Sequence, residues 1–197
     1  MKKLFLPVFA LLFASLIAAA LPTEAEAAIY EDTIRLHILA PSDNEEDQRL
    51  KLEIRDELLK KYGEELKYSG SIDEAKENIQ KLLPEIEAFL KEEIKKRGYG
   101  YSVFATIDEE WYDTREYEGF TLPKGNYTSL KIVIAEGEGK NWWCVMFPPL
   151  CLDMATESAP SDDGIKKYSD SEIMLISGNG YRAKFKILEL VSSIFSR

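Results

Sequence analysis

The feature that most constrains this chain is a long apolar stripe at helical spacing that gives way to alternation. Ile72, Ala75, Ile79, Leu82, Ile86 and Phe89 recur at steps of three and four, with Ile94 beside Glu93 continuing the stripe, which places them on one side of a helix. Ser71-x-x-Glu74 forms a capping box at its start, and Lys95-Lys96-Arg97 followed by Gly98 suits its negative C-terminal end. Pro84 lies inside the stripe, so a kink or break is expected just before it. A shorter stripe precedes it: Leu50, Ile54, Leu58 and Tyr62, opened by Ser42-x-x-Glu45, with the helix starting at about Asp43 and leaving at Gly63 or Gly70.

From Tyr99 the period becomes two. Tyr101, Val103, Ala105 and Ile107 alternate with more polar neighbours, and Trp111–Tyr117 reads as a second, more polar strand. Pro123-Lys124-Gly125 is a turn signal. Leu130, Ile132 and Ile134 form another alternating run. Glu136-Gly137-Glu138-Gly139-Lys140-Asn141 reverses the chain, and Trp142–Phe147 is expected to return as the partner strand. Upstream, Ile34, Leu36 and Ile38 alternate with Arg35 and His37, as in a half-buried strand. Elements grouped in this way predict an α+β fold, a mainly antiparallel sheet with helices packed on one face. The stretch 153–180 is rich in Ser, Asp and Gly and reads as a flexible loop, with Ile173-Met174-Leu175-Ile176 as an apolar island. A last helix is expected over Tyr181–Phe195.

The N-terminus reads as an address. Met1-Lys2-Lys3 is basic, Leu4–Leu21 carries no charge over 18 residues, and Ala25-Glu26-Ala27 is small where a signal peptidase reads. This is the pattern of a secretory signal peptide over 1–27, cut after Ala27, leaving a single domain over 28–197. The competing reading is an uncleaved anchor, since 18 apolar residues nearly span a bilayer; Pro7, Ser15 and the Ala-rich run weigh against it. Cys144 and Cys151 fit an oxidising compartment, where such a close pair reads as one local disulfide. Two buried thiols are the alternative, because geometry decides.

Charge excludes one class of partner. With 25 Lys+Arg against 35 Asp+Glu the formal charge is −10, which argues against nucleic acid. One His and two Cys do not make a zinc site, so neither metal nor cofactor is expected. No Gly-x-Ser-x-Gly elbow occurs, and Gly137-Glu138-Gly139 lacks the Lys-Ser/Thr of a phosphate loop. A Cys144–His37 couple would need a free thiolate. Carboxylate pairs such as Glu136 and Glu138 mean little in so acidic a chain.

Two constellations remain. His37 is the sole histidine and sits beside Arg35 on a strand that runs into a helix bearing Asp43, Glu46, Asp47 and Arg55; this corner suits anion or partner binding, or else a structural ion-pair network. Asn141-Trp142-Trp143-Cys144 is the densest unusual run. Tandem Trp in a strand puts one ring on each face, one entering the core and the other serving as an anchor for a protein partner, unless the sheet buries both.

The segments Arg35-Leu36-His37-Ile38-Leu39-Ala40, Ser42-Asp43, Asp47-Gln48, Leu50-Lys51 and Arg55-Asp56, together with the run from Glu136 to Cys151, resemble the stage II sporulation protein R family. Leu122-Pro123-x-Gly125-x-Tyr127 and Leu130–Ile134 are also similar, so that the resemblance spans residues 31–152 and the final helix. Pro41 departs from it, since the family usually has Asn there. The resemblance implies a non-enzymatic signalling protein of endospore formation. Such a protein is exported into the septal space between forespore and mother cell, close to a membrane. There it activates a membrane-embedded aspartic protease that processes pro-sigma-E. Partner-contact residues are then expected among Trp142, Trp143, Glu136, Glu138 and Asn141, and second among Arg35, His37, Asp43, Asp47 and Arg55. The alternative function is an extracytoplasmic hydrolase acting on cell-wall material through His37 and nearby carboxylates.

Overall fold

The computed structural model describes residues 7, 13–14, 23–67, 70–117, 120–148, 150 and 167–177. A short helix α1 (Glu24–Glu31), capped by Thr23 and Glu26 in a reciprocal box, leads into strand β1 (Ile34–Leu39). Two long helices follow, α2 (Glu45–Lys67) and α3 (Ile72–Lys96). Then come β2 (Val103–Tyr112), β3 (Arg115–Tyr117), β4 (Phe120–Leu122), β5 (Gly125–Ile134), β6 (Asn141–Phe147) and a short helix α4 (Asp170–Ser177).

The fold is α+β with a mainly antiparallel sheet. Its four strands run β2-β5-β1-β6; only β1 and β5 are parallel, and β3–β4 form a separate pair. The expected hairpin between β5 and β6 is not formed, because β1 lies between them. The connecting turn instead crosses the end of β1, where the Gly139 N–H donates to the Ala40 carbonyl at 2.9 Å. Left-handed backbone at Ala135 and Gly137 shapes this crossing.

β1 is therefore central, and it is buried on both faces rather than half-buried. On one face Ile34, Leu36 and Ile38 pack with Leu130, Ile132 and Ile134 of β5 beneath α2 and α3. Leu50, Ile54, Leu58 and Tyr62 of α2 and Ala75, Ile79, Ile86, Leu90 and Ile94 of α3 complete this core. Each such side chain contributes roughly 1.5–3 kcal/mol by leaving water. A second, smaller core on the opposite face joins Ile29 of α1, Tyr112, Phe120, Leu122, Tyr127, Val145, Tyr168 and Ile176. The two long helices thus cover one face, while short elements close over part of the other.

Local signals hold with three adjustments. Asn44 caps α2, its Oδ1 accepting the Asp47 N–H at 2.7 Å, while Ser42 donates its hydroxyl to the Asp47 carboxylate. α2 passes through Gly63. α3 continues through Pro84 without a break, and Pro84 lies on its exposed side, where the carbonyl deprived of its donor can face water. Ser71 caps α3 as expected, and Gly98 past its end takes positive φ. Arg97 ties the helices together, bonding Glu93 of α3 and Glu53 of α2 at 2.7 and 2.9 Å.

Part of the segment read as loop is ordered: Tyr168 is buried, and Ile173–Ile176 lie in α4 with Ile176 in the second core. Residues 151–166 and the expected helix over 181–195 lie outside the described residues, as does most of the leader. Among the described residues no helix is long and apolar enough to cross a membrane.

Candidate functional site

Alternation along the central strands gathers polar side chains on the sheet face opposite the long helices. In register, His37 of β1 sits between Lys131 of β5 and Trp143 of β6, and Arg35 between Ser129 and Val145. Glu110 of β2 reaches into this row. Its carboxylate accepts from Lys131 Nζ at 2.6 Å and faces His37 Nδ1 at 3.0 Å. The other ring nitrogen of His37, Nε2, lies 2.9 Å from Asn141 Oδ1. Burial alone would push the Glu110 carboxyl up, but hydrogen bonds from Lys131, Ser129 and His37 outweigh it and hold the group below its usual range.

The His37 ring stacks on Trp143 at 5.5 Å between centroids, and Arg115 of β3 lies 3.7 Å over that indole. Arg115 and His37 thus both pack on the Trp143 ring. Trp142 turns to the opposite face, with Arg55 of α2 at 4.9 Å over its ring. Both indoles are half-buried, each with an arginine over its ring, Trp142 toward the helix layer and Trp143 on the polar face.

Arg35 is fully buried. Its guanidinium lies 4.3, 5.1 and 5.7 Å from the rings of Tyr112, Tyr127 and Tyr117, and donates to the Tyr117 hydroxyl at 2.6 Å. Among the described residues Nε and Nη1 have no hydrogen-bond partner, and no carboxylate pairs with the guanidinium. Burial pushes the phenols of Tyr112, Tyr117 and Tyr127 up, so none supplies a negative charge. The cation is held by ring faces, whose quadrupoles attract it most strongly in a desolvated site.

The strand-exit corner and the glycine turn form a second cluster. Asp43 Oδ1 accepts the Lys140 N–H at 2.6 Å, and buried Lys51 donates to the Lys140 carbonyl at 2.7 Å. Burial lowers the Lys51 pKa despite the nearby Asp43. Asp47 is buried within the corner by bonds from Ser42 and Asn44. A Cβ on Gly139 would run into the Ser42 carbonyl oxygen, so close docking of turn on corner requires glycine there.

Of the residues picked from sequence, Arg35, His37, Asn141 and Trp143 meet on one face. Asp43 and Asp47 anchor the turn instead, Arg55 caps Trp142 on the other face, and Glu136 and Glu138 stand exposed on the turn. Sequence reasoning missed Glu110, Lys131, Ser129, Tyr112 and Arg115. Ser129 and Lys131 alternate with Leu130 and Ile132, so period-two reading alone places them on this polar face. Cys144 is buried. Cys151 lies outside the described residues.

Together these features define an α+β domain whose second face is a packed cationic–aromatic layer. Comparison with known proteins gives it a family. Residues 30–157 match the family model of stage II sporulation protein R. The chain is also 34% identical over 187 residues to "Stage II sporulation protein R" of Bacillus subtilis (strain 168), covering 85% of this chain and 84% of that protein. The chain therefore belongs to the stage II sporulation protein R family, and it is a sporulation protein. No solved structure matches it.

Proposed function

We propose that this protein is an exported signal of endospore formation. It is delivered across the membrane into the septal space between forespore and mother cell, where it activates a membrane-embedded aspartic protease and so leads to pro-sigma-E processing. It works as a ligand, not as an enzyme. The observation that carries this reading is the state of His37. Both ring nitrogens face acceptors, the Glu110 carboxylate and the Asn141 amide oxygen. A general base needs a nitrogen directed at the proton it removes. Ser129 Oγ lies 2.7 Å from the Tyr112 hydroxyl and also bonds Glu110. The cluster therefore serves as a scaffold that fixes the face above it, which weighs against the hydrolase alternative.

The contact surface we assign is the Arg115–Trp143 stack with the Glu136–Asn141 turn. The turn is clamped to the corner at Asp43 and Lys51, so its surface is preorganised and loses little freedom on binding. A crosslink between Cys144 and Cys151 would close a short loop at the end of β6, worth roughly 2–3 kcal/mol in the chain-entropy model. Activation follows when the ligand binds the active receptor state in preference to the inactive one, and a nearly complete shift needs about 5 kcal/mol of preference. The test is Trp143→Ala, with Trp142→Ala on the other face as the control, assayed for release of the sigma pro-sequence in a reconstituted pair. Loss of release by a folded, secreted variant is the expected result; undiminished release removes this surface from consideration.

A further inference from the structure

Among the described residues the outer edge of β2 is open. The Ala105 N–H donates to Glu87 Oε2 on α3 at 3.3 Å, so it points away from β5. In an antiparallel ladder the outward-facing residues alternate, and β2 keeps an unbroken register with β5 from Val103 to Tyr112. Ile107, Glu109 and Trp111 therefore present their backbone N–H and C=O groups outward. Among the described residues no strand pairs with that edge.

Beside the edge runs a groove. Two cavities of about 490 and 600 Å³ lie between β2 and α3 and share Gln80 as a wall. Ile107 and Ala105 line the sheet side, and Lys76, Lys81 and Pro84 the helix side. Pro84 cannot donate to the Gln80 carbonyl, which leaves an acceptor there without its helical donor. Trp111, at the end of the same row as Ile107, is 63% exposed. An edge strand, an adjoining groove and an exposed indole match the way sheets capture extended peptides.

The charges on β2 select the occupant. A second copy pairing β2 against β2 about a two-fold axis at Glu109 would set the run Asp108-Glu109-Glu110 against itself, and like charges placed opposite are unfavourable. The exposed carboxylates of that run, Asp108 and Glu109, invite a segment of opposite charge.

We propose that β2 accepts an extended segment of a partner protein as a fifth strand, with apolar side chains in the groove beside Ile107 and Lys or Arg opposite Asp108 and Glu109. This surface is separate from the Trp143 face, and its test needs no receptor. The probes are alternating Lys–Val and Glu–Val peptides of about eight residues, a strand's length, titrated into the ¹⁵N-labelled full-length protein. The Lys–Val peptide is expected to shift the amides of Ile107, Glu109 and Trp111; the Glu–Val peptide is not. Glu109→Pro removes an outward donor that an edge strand can spare together with the carboxylate, and should weaken binding about tenfold, as for a lost hydrogen bond. Glu109→Gln keeps the donor and should weaken it less. Glu109→Lys, which leaves the backbone donor in place, should reverse the preference between the two peptides. The proposal is overturned if shifts fall elsewhere or are absent at millimolar peptide, or if Glu109→Lys leaves the preference unchanged. Shifts at these amides that grow with protein concentration alone would overturn it too, since they would identify a second copy as the occupant.

Discussion

The Lys140 N–H donates to Oδ1 of Asp43 across 97 residues of sequence. This bond exists because β5 and β6 are not neighbours. The chain leaving β5 must pass over the exit of β1, and the corner after β1 provides acceptors and a close-packed seat for it. The two regions that stood out in the sequence are thereby one rigid unit.

The seat leaves no space for a side chain at residue 139. Gly139→Ala should cost about 1–3 kcal/mol, the usual penalty of overpacking against atoms that cannot yield. Here the obstacle is the Ser42 backbone carbonyl. The midpoint of urea unfolding should fall with the slope unchanged. Asp43→Ala removes the hydrogen bond and the nearby charge that favours Lys51, without steric conflict, and should cost about 1 kcal/mol.

Acid should loosen the polar face through Glu110. Its folded-state pKa lies below the ordinary value of 4.5, so the native state binds fewer protons than the unfolded one. The stabilisation is fully present above pH 4.5 and disappears as the pH falls through the lowered value. Melting temperatures recorded from about pH 3 to about pH 7 should show this loss in the parent protein. Glu110→Gln should be less stable at neutral pH by about 1–3 kcal/mol, with a flatter acid limb. An identical acid limb in both proteins would mean that Glu110 is not the titrating group.

Arg35 sets two opposing terms against each other. Ring faces stabilise its charge by about 2 kcal/mol, while two orphaned nitrogens cost roughly 1–3 kcal/mol each. Arg35→Met should therefore match or exceed the parent in thermal stability, as buried charges replaced by apolar groups of similar volume often do. A drop in stability beyond about 1 kcal/mol would show that the tyrosine cage outweighs the orphaned donors.

The stack of Arg115 on Trp143 should appear as coupling. Arg115→Ala, Trp143→Ala and the double variant form a cycle whose interaction energy should be about 0.5–2 kcal/mol in the folded protein. The Arg55–Trp142 pair on the other face provides an independent cycle, and the two should be additive.

The helices were legible because their signal is local. Caps at Ser71 and Gly98 and the stripes along α2 and α3 are written within single turns. Strand order was not. Leu130–Ile134 and Trp142–Phe147 have the pattern of a hairpin, and nothing near the glycine turn says that Ile34–Leu39 inserts between them; that pairing depends on contacts across roughly a hundred residues. Arg35 and His37 read as a solvent face because alternation reports polarity, not exposure. A cation buried among tyrosines and a histidine held between a carboxylate and an amide give the same pattern as a wet strand. Trp111 read as the start of a second strand but lies within β2, because the acidic run 108–110 hides the continuation of the alternation that starts at Tyr101.

The helix that Thr23 opens runs straight through the bond between Ala27 and Ala28. Proteases cut chain that has been pulled out of its helix, and Ile29, two residues beyond that bond, is fixed in the second core. If a leader is trimmed here, trimming has to happen while the segment is still unwound, or wait for α1 to open. Scission would strip away the capping box and leave a new ammonium at the positive pole of what remains of the helix, an unfavourable placement. Maturation would then be a conformational event as well as a covalent one, and an uncut precursor would differ from its product in how the edge of the smaller core is closed.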